Sequence, residues 1–131
     1  MLWHGTSFTP PKLIYEGEVG FDSRFSEAGY YGVAIYFAKN ASYSNNGYCY
    51  KLPSGERQLF LAEVLLGEYP YLPDPEDEVK RAPNRKLTKP TMNQVTNKMY
   101  DSVKGYTNGS DVYMVYHSSK AYPRYLVTYT S

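Results

Sequence analysis

Two short segments carry side chains that could bind a ligand, and the first is close to the N-terminus. His4 and Gly5 follow the apolar pair Leu2-Trp3. Histidine can hydrogen-bond a sugar hydroxyl, and glycine lets a ligand approach the backbone closely. Alone this pattern is unspecific, because a histidine beside a tryptophan is more often a surface or packed residue. His4 and Gly5 are therefore candidate binding residues only in combination with others.

The second segment is an apolar strand that continues directly into a polar, tyrosine-rich stretch. Tyr36 lies within the apolar residues 35–38, and Ser44 and Tyr48 follow soon after. A strand that runs into a helix places these three side chains near one corner, where two rings and a hydroxyl could enclose a flat heterocycle bearing an amide. The alternative is a tyrosine-rich core, since the chain has 16 Tyr among 131 residues.

The elements that must position these groups form an α+β fold. Pro10 and Pro11 predict a short helix over residues 12–15, because proline is tolerated in the first turn of a helix. Residues 39–48 predict a second helix that ends near Gly47. Runs of apolar, β-branched and aromatic residues predict the strands. These strands are expected at residues 1–4, 35–38, 59–66, 100–103, 112–116 and 125–129.

Composition excludes several classes of protein. A chain of 131 residues fits one domain, spanning 1–131. Cys49 is the only cysteine, so the sequence offers neither an internal disulfide nor a zinc cluster, and we predict no bound metal. No apolar run approaches the roughly 20 residues of a membrane helix, and the N-terminus lacks a secretory pattern. We expect no membrane partner and an intracellular location, cytoplasmic or nuclear.

Basic residues are concentrated in one stretch. Residues 80–98 contain six Lys and Arg and no acid, although the whole chain has a net charge of only +1. The simpler interpretation is a solvated loop. The alternative is a patch that meets phosphates or an acidic protein, and nucleic acid is a possible partner on this ground alone.

Six blocks of residues, taken in order, are more informative than any one of them. They are Leu2-Trp3-His4-Gly5-Thr6-Ser7, residues 20–24, residues 31–44, residues 60–67, residues 100–103, and residues 112–129 with Ala121-Tyr122-Pro123 inside them. In this order they resemble the catalytic domain of the poly(ADP-ribose) polymerase family, the diphtheria-toxin-like ADP-ribosyltransferases. The resemblance implies two packed, mainly antiparallel sheets with one or two short helices.

The resemblance also implies a substrate and a set of residues that bind it. The chain would bind NAD+ and transfer ADP-ribose from it with release of nicotinamide. His4 is similar to the family's first signature residue, which holds the adenosine ribose. The Gly5 backbone and the Ser44 hydroxyl would hold the nicotinamide carboxamide. Tyr48 would stack on the nicotinamide ring.

Three further residues complete the donor site that the resemblance implies. Tyr36 is similar to the second signature residue, which packs against the nicotinamide ribose. Residues 22–31 would form the loop that covers the donor, and Arg24 within it is a candidate contact on the adenosine side. Thr6 is included as a binding residue next to Gly5.

The third signature position decides the reaction. Counting back from residues 121–123, the glutamate of polymerising members falls on Val112. Valine has no lone pair or charge and cannot act as an acid or base. Asp111 is adjacent, but neighbouring strand residues point to opposite faces. With His4, Tyr36 and Val112 in the three signature positions, the implied activity is transfer of a single ADP-ribose unit, with protein as the expected acceptor.

A second function remains open at the level of sequence, namely a catalytically silent module that binds NAD+ or a protein partner. Val33 stands where the family often has lysine, and Val112 removes the catalytic carboxylate, which both favour this alternative. The presence of His4, Tyr36 and Ser44 favours the enzyme.

Two further expectations follow from the resemblance. The chain begins almost at the histidine block, so we expect a catalytic domain that is minimal or trimmed at its N-terminus. In this family the loop before the third signature strand selects acceptors, and here that loop is expected over residues 104–111.

Overall fold

The computed structural model describes residues 1–22, 28–29, 32–67, 70–72 and 100–130. Short helices interrupt a structure made mainly of strands, and the prediction of an α+β fold with mainly antiparallel strands is confirmed. The helices are α1 (Lys12–Tyr15) and α2 (Ala41–Asn45), and a 3-10 turn covers Ser118–Lys120. The strands are β1 (Leu2–His4), β2 (Ala28–Gly29), β3 (Gly32–Val33), β4 (Ile35–Ala38), β5 (Tyr50–Lys51), β6 (Arg57–Val64), β7 (Val103–Thr107), β8 (Ser110–Val115) and β9 (Ala121–Tyr129).

Local sequence accounts for both helices. α1 begins directly after Pro10 and Pro11. Proline has no backbone N–H, but the N–H groups at the start of a helix make no intrahelical bond, so the two prolines cost α1 no hydrogen bond. α2 is shorter than the helix predicted over residues 39–48. The backbone leaves the helical region at Asn46 (φ −84°, ψ 78°), and Gly47 adopts a left-handed φ of +97°. Glycine takes this conformation without a Cβ clash, so the chain turns out of the helix there.

Seven of the described strands join in one antiparallel sheet. Its order is β5-β6-β1-β4-β8-β7, and β9 also pairs with β6. β6 therefore has β9 along one edge and shares its other edge between β1 and β5. β2 and β3 pair separately as a two-stranded sheet. The result relevant to function is that β1 and β4, which carry His4 and Tyr36, are neighbours.

Alternation along the strands divides the apolar side chains between two faces of the main sheet. The phenylalanine face is the buried cluster of Leu2, Ile14, Phe21, Ile35, Phe37, Phe60, Ala62 and Val115. The tyrosine face is the cluster of Ala34, Ala38, Val103, Val112, Met114 and Tyr116, against which Tyr36, Tyr43 and Tyr71 pack. In β4, therefore, Phe37 faces one way and Tyr36 the other.

The loop predicted over residues 104–111 is instead most of a β-hairpin. β7 and β8 pair along their length, with Thr107 opposite Ser110. Asn108 and Gly109 alone connect them, with φ values of +48° and +79°. A two-residue hairpin turn of this hand needs a positive φ at both positions, which Asn-Gly tolerates. The prediction of a loop is wrong for this physical reason, and regular structure predicted from residue 100 begins only at Val103.

Candidate functional site

The ring of His4, at the end of β1, is tied to the neighbouring strand β4. Its Nδ1 atom lies 2.6 Å from the backbone carbonyl oxygen of Tyr36. A carbonyl oxygen can only accept, so Nδ1 carries the hydrogen and donates it. In the neutral ring, Nε2 then holds the lone pair and can accept a hydrogen bond from a ligand hydroxyl.

Aromatic rings surround His4 and keep it neutral. The centroid of its ring lies 4.9 Å from that of Phe21 and 5.2 Å from that of Phe37. Burial lowers the pKa of His4, and the hydrogen bond to Tyr36 only partly opposes this effect. Near pH 7 the residue is therefore a neutral hydrogen-bonding group. Phe21, which is not among the predicted site residues, is part of this environment and lies in the block of residues 20–24 that contributes to the family resemblance.

Gly5 and Tyr48 are in direct backbone contact. A Cβ atom on Gly5 would lie 2.5 Å from the carbonyl carbon of Tyr48 and would overlap its carbonyl oxygen. The same oxygen accepts a 2.7 Å hydrogen bond from the backbone N–H of Ser7. Glycine is needed here because another stretch of backbone occupies the space above it. The segment after β1 is thus held against the segment after α2.

The hydroxyl of Thr6 is engaged in its own turn. Thr6 is buried, and its Oγ1 donates a 2.7 Å hydrogen bond to the carbonyl of Thr9. The N–H of Thr9 donates in return to the carbonyl of Thr6. The single hydroxyl hydrogen is therefore used in holding the segment that follows Gly5, which leaves only the oxygen lone pairs of the side chain for a ligand.

α2 and the residues after it present a hydroxyl and two aromatic rings. Ser44 is 2% exposed. The rings of Tyr43 and Tyr48 stack with centroids 5.3 Å apart and planes 20° from parallel. Tyr48 nevertheless remains 42% exposed. A planar ligand can pack on an exposed ring of this kind. Tyr43 is not among the predicted site residues, because its proximity to Tyr48 depends on where α2 ends.

Tyr36 and Val112 lie on the tyrosine face, on adjacent strands. Tyr36 is directly opposite Met114, and Ala38 is directly opposite Val112. Tyr36 and Val112 are therefore diagonal neighbours on one face. Val112 is 0% exposed and packs within the apolar cluster of that face. The residue predicted at the third signature position is thus a core side chain without a polar atom.

The adjacent Asp111 is directed to the other face of β8. Burial alternates from Ser110 to Val112, with Asp111 the less buried residue between them. A carboxylate oxygen of Asp111 lies 3.8 Å from the ammonium of Lys104, and that ammonium sits over the ring of Tyr113. Asp111 therefore does not supply a carboxylate at the position of Val112.

The residues predicted at the three signature positions do not share one face. The His4 ring contacts the phenylalanine face, whereas Tyr36 and Val112 belong to the tyrosine face. The bond from the His4 ring to the Tyr36 carbonyl joins the two sets through the backbone.

Three predicted features lie wholly or largely outside the described residues, namely Arg24, the donor loop predicted over residues 22–31, and the basic residues 80–98. In the part of the chain that is described, no three His, Cys, Asp or Glu side chains are grouped to hold a metal ion. No helix in residues 1–22, 32–67 or 100–130 has the length and apolar character needed to cross a membrane.

These groups suit a ligand that combines a planar amide with hydroxylated sugars. The exposed ring of Tyr48 can stack on a flat ring, and the neutral His4 can accept from a ribose hydroxyl. The fold is that of an ADP-ribosyltransferase domain.

The chain belongs to the poly(ADP-ribose) polymerase catalytic domain family, whose model matches residues 1–131. It is 40% identical over 130 residues to a probable poly(ADP-ribose) polymerase of Dictyostelium discoideum, covering 98% of this chain and 33% of that protein. The prediction of this family, and of an ADP-ribosyltransferase, is confirmed.

Two human proteins are more distant relatives. Protein mono-ADP-ribosyltransferase PARP12 is 25% identical over 130 residues, which cover 99% of this chain and 17% of PARP12. Protein mono-ADP-ribosyltransferase PARP14 is 27% identical over 131 residues, which cover 98% of this chain and 7% of PARP14. The chain thus spans about a third or less of the length of these relatives.

Proposed function

We propose that the chain transfers a single ADP-ribose unit from NAD+ to an acceptor group on a protein and releases nicotinamide. The observation that carries this proposal is the side chain at the third signature position. Val112 is fully buried in an apolar cluster and has no atom that can accept a proton from an acceptor hydroxyl. Extension of one ADP-ribose by another would need such a group at this position.

The donor site is built from groups on both sides of the Gly5–Tyr48 contact. Tyr48 and Tyr36 would pack against the nicotinamide ring and its ribose, and the Ser44 hydroxyl and Gly5 backbone would bind the carboxamide. His4 would accept a hydrogen bond from the adenosine ribose through Nε2, because Nδ1 is already bonded to the Tyr36 carbonyl.

The transfer breaks the bond between the ribose C1′ and the nicotinamide nitrogen. The bonding electrons leave with nicotinamide, which becomes neutral, and positive charge develops on the ribose as in glycoside cleavage. A lone pair of the acceptor then forms the new bond to C1′. Without a carboxylate at Val112, the protein contributes by holding the donor in position, and an acceptor that is itself anionic needs no base.

The names of two relatives agree with this proposal. PARP12 and PARP14 are both described as protein mono-ADP-ribosyltransferases. Since each is matched over only a small part of its length, this agreement supports the proposal at the level of the catalytic domain.

Incubation of the purified chain with labelled NAD+ and candidate acceptors tests the proposal. We expect nicotinamide release together with label on protein, both lost in His4→Ala and Tyr36→Ala and both retained in a control, Thr128→Val, on the exposed part of β9. Saturable NAD+ binding without turnover would contradict the proposed transfer and indicate a catalytically silent binding module. Label found only on RNA or DNA would mean that the acceptor is nucleic acid, and it would contradict a protein acceptor.

A further inference from the structure

Three side chains from three different elements meet at the end of α2. The side-chain oxygen of Asn45, the last residue of α2, accepts a 3.1 Å hydrogen bond from the guanidinium of Arg57. The same oxygen accepts a 2.6 Å hydrogen bond from the hydroxyl of Tyr129. One acceptor thus receives two donors, one of them cationic, and hydrogen bonds to charged groups are the stronger kind.

The sheet sets the positions of both donors. Arg57 on β6 and Tyr129 on β9 are direct cross-strand partners, so their side chains leave the sheet on the same face. The next rung along the same strands, Gln58 and Thr128, has its own side-chain hydrogen bond of 3.0 Å and is exposed. Because successive residues alternate, that rung points away from Asn45.

α2 depends on contacts with other elements for its stability. It has five residues, the side chain of its N-cap residue Asn40 makes no capping hydrogen bond, and it has no acidic residue in its first turn and no basic residue in its last. A helix of one turn is not stable by itself. At its start, the backbone N–H groups of Lys39 and Asn40 donate to the Asp111 carbonyl and the Ser110 hydroxyl of β8. At its end, Arg57 and Tyr129 hold Asn45.

We propose that Arg57 and Tyr129 are positioning residues for NAD+, acting through Asn45 to hold Ser44 in place. The inference rests on the proposed function, because it assigns these residues to the donor site described there. Ser44 immediately precedes Asn45 and is buried, so a shift of the end of α2 moves its hydroxyl. Neither Arg57 nor Tyr129 touches the donor in this arrangement.

The hydroxyl of Tyr129 stays protonated at neutral pH. Burial first, and then the adjacent Cys49, raises the pKa of Tyr129 above its ordinary value. The hydroxyl therefore keeps its hydrogen throughout the neutral range and remains a donor to Asn45.

NAD+ affinity and steady-state kinetics of matched variants test the inference. Tyr129→Phe removes only the hydroxyl, and we expect Kd and KM for NAD+ to rise about fivefold with kcat nearly unchanged, the size of one lost hydrogen bond. Thr128→Val removes the neighbouring hydrogen bond on the opposite side of the same strand and should leave Kd and KM unchanged. Measurements are made well below the melting temperature of the least stable variant.

Variants of the shared acceptor separate positioning from general stability. Asn45→Asp keeps an oxygen that accepts from both donors and should retain wild-type affinity, whereas Asn45→Leu should weaken NAD+ binding at least as much as Tyr129→Phe. Adding Tyr129→Phe to Asn45→Leu should change NAD+ affinity little further, because Asn45→Leu has already removed the contact through which the Tyr129 hydroxyl acts on α2.

The outcomes distinguish this inference from the proposed function. If the wild-type chain binds and uses NAD+ but Tyr129→Phe and Asn45→Leu change only the melting temperature, the positioning role is wrong and the proposed function stands. If the wild-type chain neither binds nor uses NAD+, the proposed function is wrong and the positioning role falls with it.

Discussion

The Nδ1 atom of His4 lies 2.6 Å from the backbone carbonyl oxygen of Tyr36. This bond joins the residues predicted at the first two signature positions, although their side chains belong to opposite faces of the sheet. It also fixes the tautomer of the imidazole and leaves Nε2 as the acceptor. We therefore expect His4 to meet a ligand as a neutral hydrogen-bonding group, not as a positive charge beside a phosphate.

A pH series of thermal unfolding tests the neutral state of His4. Burial lowers the pKa of His4 in the folded protein, so the unfolded chain binds the proton more readily. The stability that this difference in pKa contributes is complete above the pKa of about 6.5 in the unfolded chain. It is lost as pH falls through that value toward the lower pKa of His4 in the folded protein. Wild type should therefore lose more stability than His4→Gln between about pH 8 and about pH 5. Parallel losses in the two proteins would contradict a depressed pKa.

The close contact at Gly5 predicts a steric effect on the donor site. Gly5→Ala places a methyl group in the Tyr48 carbonyl, and we expect a loss of about 2–3 kcal/mol in the free energy of unfolding with weaker NAD+ binding. Gly55 is a useful control, because nothing lies within 4 Å of its Cβ position and only its φ of +91° opposes alanine. Gly55→Ala should cost about 1 kcal/mol of backbone strain and leave NAD+ affinity unchanged. Equal NAD+ affinity in Gly5→Ala and wild type would show that the contact does not shape the site.

The burial of Val112 predicts the cost of placing a glutamate at this position. Val112→Glu places a carboxylate among Ala38, Val103 and Met114, and it should cost about 3 kcal/mol or more in stability. Val112→Ala, which only removes methyl groups, should cost about 2 kcal/mol. Chemical denaturation measures both. A Val112→Glu protein as stable as wild type would mean that this position opens to solvent or ligand.

The exposed ring of Tyr48 predicts a stacking contribution to binding. Tyr48→Ala should raise the Kd for NAD+ about tenfold, whereas Tyr48→Phe keeps the ring and should change it little. Tyr125→Ala removes an exposed tyrosine of β9 and serves as the control. Calorimetric titration gives all four affinities. If Tyr48→Ala binds as tightly as wild type, another ring contacts the nicotinamide.

Much of the fold could be predicted because local sequence signals act over a few residues. The apolar run at 35–38 forms β4 as predicted, and the proline pair opens α1. The Asn108-Gly109 turn was also available as a signal, since this dipeptide supports a two-residue hairpin. α2 is shorter than the helix predicted over residues 39–48, because the left-handed conformation of Gly47 ends it early.

The site was less predictable, because it depends on contacts between distant residues. The order of the motifs predicts that His4 and Tyr36 belong to one site. It does not predict that their rings lie on opposite faces of the sheet, which depends on the register of β1 and β4. Similarly, no local pattern links Asn45 to Tyr129, which is 84 residues away. The first relationship comes from the pairing of β1 with β4. The second depends on the pairing of β6 with β9, which places Tyr129 beside Arg57.

The chemical length of the product tests the proposed transfer most directly. Acceptor protein modified with labelled NAD+ is treated with a pyrophosphatase, which cuts each ADP-ribose unit between its two phosphates. A single unit per site releases AMP alone, because no further sugar is attached to its adenosine, and we predict AMP as the only nucleotide released. Release of AMP that carries an additional ribose phosphate would mean that units are joined to one another, and it would contradict transfer of a single unit.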